Sequence, residues 1–124
     1  MKTFLCLCLF LVAAMTASAA DITGKWSGSL LIQAPDGEHA DNAFVIFQQK
    51  GSELSGTGGP NESEQHPMQN GKIIGNKITF EVQADDAVYK IEATLEGDHI
   101  KGTVSATRPD GEAMKAKLDL TRVK

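Results

Sequence analysis

At 124 residues the chain has room for one small domain with a core and is too short for two. Its 12 Lys and Arg stand against 16 Asp and Glu, a net charge of −4, which argues against nucleic acid or an anionic membrane held by charge neutralisation. Both cysteines, Cys6 and Cys8, fall within the first 20 residues, so the remainder offers no disulfide, thiolate metal site or cysteine nucleophile.

Lys2 provides a positive start, Phe4 to Met15 form an apolar run, and Ala17-Ser18-Ala19-Ala20 supplies the small residues a signal peptidase requires. Residues 1–20 therefore read as a signal peptide and 21–124 as one domain, secreted or periplasmic after cleavage, with the exact cleavage point open. The apolar run falls short of the roughly 20 residues that a membrane-spanning helix needs, and no membrane insertion is expected. Leu5 and Leu7 precede the two cysteines where a lipid anchor would require a small residue.

Beyond residue 20 a local pattern recurs: an apolar residue, any residue, then glycine. It occurs as Trp26-Ser27-Gly28, Leu54-Ser55-Gly56, Ile73-Ile74-Gly75 and Ile100-Lys101-Gly102. Gly51-Ser52, Gly75-Asn76 and Gly97-Asp98 are hairpin turns, because glycine accepts the positive φ that tight turns impose. Between them apolar and polar residues alternate, as in Ile78-Thr79-Phe80-Glu81-Val82, which is the period of a half-buried strand.

The predicted strands are 24–33, 42–50, 53–58, 67–74, 77–83, 87–96, 99–107 and 112–123. Their inward set is Trp26, Leu30, Val45, Phe47, Leu54, Ile73, Ile78, Phe80, Val82, Tyr89, Ile91, Leu95, Ile100, Val104, Met114, Leu118 and Leu120. Phe44 and Ile46 face outward, as ordinary exposure or as a patch for a partner. The fold class is all-β, an eight-stranded antiparallel up-and-down meander closed into a barrel, which buries one face and removes the edges. A two-sheet sandwich of the same strands is the alternative.

In a meander, odd and even connections fall on opposite rims. One rim holds the tight turns at Gly51, Gly75 and Gly97 together with Trp26 and Arg122, and collects Lys25, Lys50, Lys72, Lys77, Lys101 and Lys124. The other holds longer connections at 34–41, 59–66, 84–86 and 108–111, with Asp36, Glu38, Asp41, Glu62, Glu64, Asp85, Asp86, Asp110 and Glu112 against Arg108. This second rim is the expected mouth, acidic through solvated loops or through a taste for cations. No stretch matches the Asp-x-Asp-x-Asp-Gly calcium loop.

Catalytic patterns are sparse. There is no Gly-x-Ser-x-Gly elbow, and His39, His66 and His99 lack metal-ligand spacing, although His39 and His66 share the mouth rim. Asp85-Asp86 is a carboxylate pair in a turn, where solvation opposes the pKa rise that acid–base catalysis requires. Asn61-Glu62-Ser63 fits a glycosylation acceptor that matters only in a eukaryotic secretory pathway. No catalytic residue, metal site or cofactor is expected.

Gly24-Lys25-Trp26 at the first strand, a meander, and a basic residue near the end of the last strand resemble the calycin superfamily of lipocalins, fatty-acid-binding proteins and avidins. The resemblance implies that Trp26 plugs the closed end of the barrel and that Arg122 packs over its indole. Neither the biotin site nor the fatty-acid carboxylate site of those families has a counterpart motif here. Ile22 to Trp26, the glycine hairpins and Thr121-Arg122-Val123 are similar to small secreted bacterial domains of lipocalin-like type, which points to a bacterial setting and to no particular activity.

The expected function is a secreted, non-catalytic binding module holding a small hydrophobic or amphipathic ligand in the barrel mouth, lined by Leu30, Phe47, Tyr89 and Met114. The alternative is a filled barrel that binds an extracytoplasmic protein or envelope component through its surface. An eight-stranded barrel is at the boundary between these cases, just wide enough for its own side chains or for one small ligand. Ligand identity and oligomeric state are not written in the sequence.

Overall fold

The computed structural model describes residues 21–124 apart from Pro35, Asp85, residues 108–110 and Glu112. Eight strands follow one another: β1 (Gly24–Ala34), β2 (Gly37–Lys50), β3 (Glu53–Gly59), β4 (His66–Ile74), β5 (Lys77–Ala84), β6 (Ala87–Glu96), β7 (His99–Thr107) and β8 (Ala113–Arg122). Each pairs antiparallel with the next, and β1 pairs with β8 from Trp26↔Arg122 to Gln33↔Lys115. The sheet therefore closes into a barrel, not into a sandwich. The architecture is consistent with a calycin-like barrel.

Alternation drives this outcome. Along β8 buried and exposed residues alternate from Ala113 to Leu118, and Ile78, Phe80 and Val82 of β5 are buried in the same way. Gly51, Gly75 and Gly97 take φ of 64°, 63° and 63° at the tight turns, a region that costs glycine nothing. Gly28 answers a different demand. A Cβ there would lie 1.8 Å from the Asp119 carbonyl oxygen of β8, so the closing contact between the first and last strands admits no side chain.

Three features depart from the sequence reading. β2 begins at Gly37, turning the expected long connection 34–41 into a tight hairpin whose rungs run from Ala34↔Gly37 to Gly24↔Phe47. Residues 37–42 lack apolar alternation because both of their faces are exposed, which is why the strand is silent in the sequence. Residues 37–43 pair with β1 alone, since β3 joins β2 only from Phe44↔Gly59. The β3-facing edge of residues 37–43 is therefore unpaired and forms a lip, while β1 beside it stays paired with β8 up to Gln33.

The second departure is in β4, whose pairing with β5 shifts register between Gln69 and Lys72, with Asn70 at φ 54°. Met68 and Ile73 are an odd number of positions apart, and one extra residue lets both turn inward. The third is Ile22, which precedes every strand and yet is fully buried.

Ile22 belongs to a strap across the base. The Trp26 indole N–H donates to the Ile22 carbonyl (2.9 Å), and the Ile22 N–H donates to Gln49 Oε1 (3.0 Å). Arg122 lies with its guanidinium carbon 4.6 Å from the Trp26 ring centroid and donates to the carbonyls of Thr23 and Asp21, each at 3.0 Å. The expected stacking of Arg122 on Trp26 is thus present, and the same guanidinium ties down the strap. Asp21 is held below the ordinary carboxylate value, first by hydrogen bonding with Thr23 and then by the charge of Arg122.

Packing is uneven along the barrel axis. Trp26, Phe47, Ile22, Ile78, Ile100 and Leu120 are the largest fully buried side chains, and all lie toward the tight-turn rim. Phe47 meets Phe80 edge to face, with centroids 5.4 Å apart. Above Phe80 the interior opens.

Candidate functional site

The upper half of the barrel encloses a cavity of about 340 Å³, just above the lower end of the range that ligand pockets occupy, roughly 300–1,000 Å³. Its wall is carbon: Leu30 and Ile32 of β1, Val45 of β2, Phe80 and Val82 of β5, Tyr89 and Ile91 of β6, Val104 of β7, and Met114 and Leu118 of β8. None of the six fully buried side chains of the base contributes. The barrel is therefore filled at one end and hollow at the other.

The rim of the cavity is polar. Asp41, Asn42, Glu64 and His66 line it together with Ala43, Gly58, Gly59, Pro60 and Ala84. Asp41 faces Leu30 across the β1–β2 ladder, and cross-strand partners share a face, so the lip carries a carboxylate on the same inner surface as Leu30 and Ile32. One Asp41 carboxylate oxygen accepts the Asn42 N–H at 2.8 Å. Two strands along, His66 opens β4, and its Nε2 stands 3.8 Å from a Glu64 carboxylate oxygen.

The connection between β3 and β4 is held by side chains. Asn61 Oδ1 accepts from the Ser63 N–H (3.0 Å), the Ser63 hydroxyl (2.8 Å) and the Glu64 N–H (2.9 Å), an Asx-type turn. Gln65 accepts from the Thr57 hydroxyl (2.8 Å) and donates to the Phe44 carbonyl (3.1 Å). Glu62 leaves the mouth and pairs with Lys25 at 2.6 Å. Since Lys25 lies beside Ile46 on the outer face, the loop is drawn over the barrel wall next to the half-buried Phe44 and Ile46.

Of the four residues expected to line the mouth, Leu30, Tyr89 and Met114 line the cavity. Phe47 does not, and this reading is corrected: the ring is fully buried toward the base, where Phe47 pairs with Gly24 and Gly56. Only three residues separate Phe47 from the Gly51 turn, so it sits in the lower half of β2 whether the strand begins at 37 or at 42. Sequence reasoning left Ile32 and Met68 out of the inward set, and both pack against the core.

The two mouth histidines are not brought together. His39 Nε2 lies 3.2 Å from Asp36 at the hairpin tip, while His66 faces Glu64. Among the described residues no group of three or more His, Cys, Asp or Glu is arranged to hold a metal ion. His99, at the opposite rim, pairs with Asp119 at 3.0 Å. Of the carboxylate pair, Asp86 is exposed at φ 66°, and Asp85 lies outside the described residues, as do Arg108, Asp110 and Glu112. Comparison with protein-family models, with curated proteins and with solved structures yields no match.

Proposed function

We propose that this protein is a non-catalytic binding module of lipocalin-like type, exported from a bacterial cell and carrying one small hydrophobic or amphipathic ligand in the upper half of its barrel. The observation that carries this reading is the division of the interior, with a base plugged by Trp26, Ile22 and Phe47 below an apolar cavity of about 340 Å³. A barrel serving only as a scaffold for surface contacts gains stability by filling its interior, because empty volume forfeits dispersion contacts. Keeping the large rings at the base and leaving Leu30, Val104 and Met114 to border free space is the arrangement of a container. The signal-like residues 1–20, which contain both cysteines, support export.

Intact mass under native and then denaturing conditions tests the reading on protein purified gently from its own culture medium or periplasm. A stoichiometric adduct of small-molecule mass that is lost on denaturation is the expected result. Leu30→Trp, which puts a large ring at the upper wall, should abolish the adduct while the barrel stays folded. A bare monomer that also takes up no octanol when titrated would refute carriage and favour recognition through the outer surface.

A further inference from the structure

The two carboxylates that line the cavity, Asp41 and Glu64, are both at its mouth end. Asp41 stands on the inner face of the lip opposite Leu30, and Glu64 stands in the β3–β4 connection beside His66. Among the described residues no Lys or Arg lines the cavity. The basic residues of the adjoining wall point the other way. Lys115 and Lys117 alternate with Met114, Ala116 and Leu118 along β8 and are exposed on the outside, as is Lys90 beside Tyr89 on β6.

A ligand lying with its apolar body against Phe80, Val104 and Leu118 therefore presents its head to two carboxylates. A carboxylate head would meet like charge there, and an ammonium head would meet opposite charge. Resting on the cavity reading above, we propose that the ligand class is a monocationic amphiphile: an aliphatic or aromatic body with a single amine or ammonium head, held at the rim by Asp41 and Glu64. Water reaches both carboxylates, so their contribution is selectivity between heads of different charge, with the apolar wall supplying the bulk of the affinity.

Calorimetric titration of the full chain with octylamine, octanol and octanoate separates these contributions, because the three share one apolar body. The medium is low in salt and at about pH 8, where an imidazole is neutral and an alkylammonium keeps its charge. Octylamine should bind about three- to tenfold more tightly than octanol, the range that one or two solvated ion pairs provide, and octanoate more weakly than octanol. Added salt should narrow the gap. Asp41→Asn combined with Glu64→Gln should equalise octylamine and octanol and leave octanol affinity unchanged, which also shows that the variant is folded. Octanoate binding as tightly as octylamine, or an amine preference that survives the double substitution, would overturn the proposal while leaving the cavity reading intact. If none of the three binds, the cavity reading fails and takes this proposal with it.

Discussion

At the scale of single residues the base of the barrel depends on Trp26. Its ring is fully buried, its N–H is satisfied by Ile22, and its face is covered by Arg122. Trp26→Ala should cost about 3–5 kcal/mol, the range for deleting a large buried ring, measured as a shift of the urea midpoint by circular dichroism because the chain has one Trp. Arg122→Ala should cost roughly 1–2 kcal/mol through the lost cation–π contact and strap hydrogen bonds. A change in the Trp26 variant no larger than that of the Arg122 variant would show that the ring is not the plug. Gly28→Ala is expected to be as severe as Trp26→Ala despite its size, because its Cβ would meet the Asp119 carbonyl at 1.8 Å. Both partners there are backbone, and relief requires the β1–β8 seam to open. A thermal midpoint within about 2 °C of the parent, less than a 1 kcal/mol loss produces in a small domain, would contradict that close approach.

At the scale of elements, most strands were legible because the side that packs is strictly apolar. β5, β6, β7 and β8 each alternate cleanly, and their predicted bounds differ from the observed ones by at most one residue. The exceptions share a cause: the signal is burial, and it disappears where burial does. Residues 37–42 form a strand by backbone pairing with β1 while both faces meet solvent. Met68 was hidden by the bulge at Asn70, which breaks the period, and Ile22 was hidden because a strap has no period. Leu30, Tyr89 and Met114 could be placed at the cavity from strand position, whereas Phe47, only three residues above the Gly51 turn, belongs to the base by the same reckoning. Pairing on one side alone has a measurable consequence for the lip. The Phe44 carbonyl is turned toward β3, where Gln65 reaches it, and along a strand every second residue turns its backbone the same way. The amides of Asn42, Ala40 and Glu38 should therefore exchange with solvent quickly, and those of Ala43 and Asp41 more slowly. Equal protection of both sets would mean that another strand or segment covers the lip.

At the scale of the whole molecule, the barrel is polarised in packing. Its base gathers the large buried side chains, the tight glycine turns and most of the basic residues. Its mouth gathers the cavity, the lip, and Asp36, Glu38, Asp41 and Glu64. Rigidity at one end and space at the other are linked: the strap and the Trp26 plug supply the packing that the upper half forgoes, so a cavity can persist without loosening the fold. For the ligand proposed above, the plugged base leaves the mouth as the way in.

The most direct test of this division is a methyl-resolved NMR titration of the folded protein with octanol, an uncharged probe that reports on the cavity independently of the rim carboxylates. The methyl signals of Leu30, Val104, Met114 and Leu118 should shift together and saturate at one equivalent, while those of Ile22, Ile78, Ile100 and Leu120 stay in place. Shifts confined to outward residues such as Ile74 and Val88, or no saturable shift at all, would contradict a hollow upper half that takes a ligand.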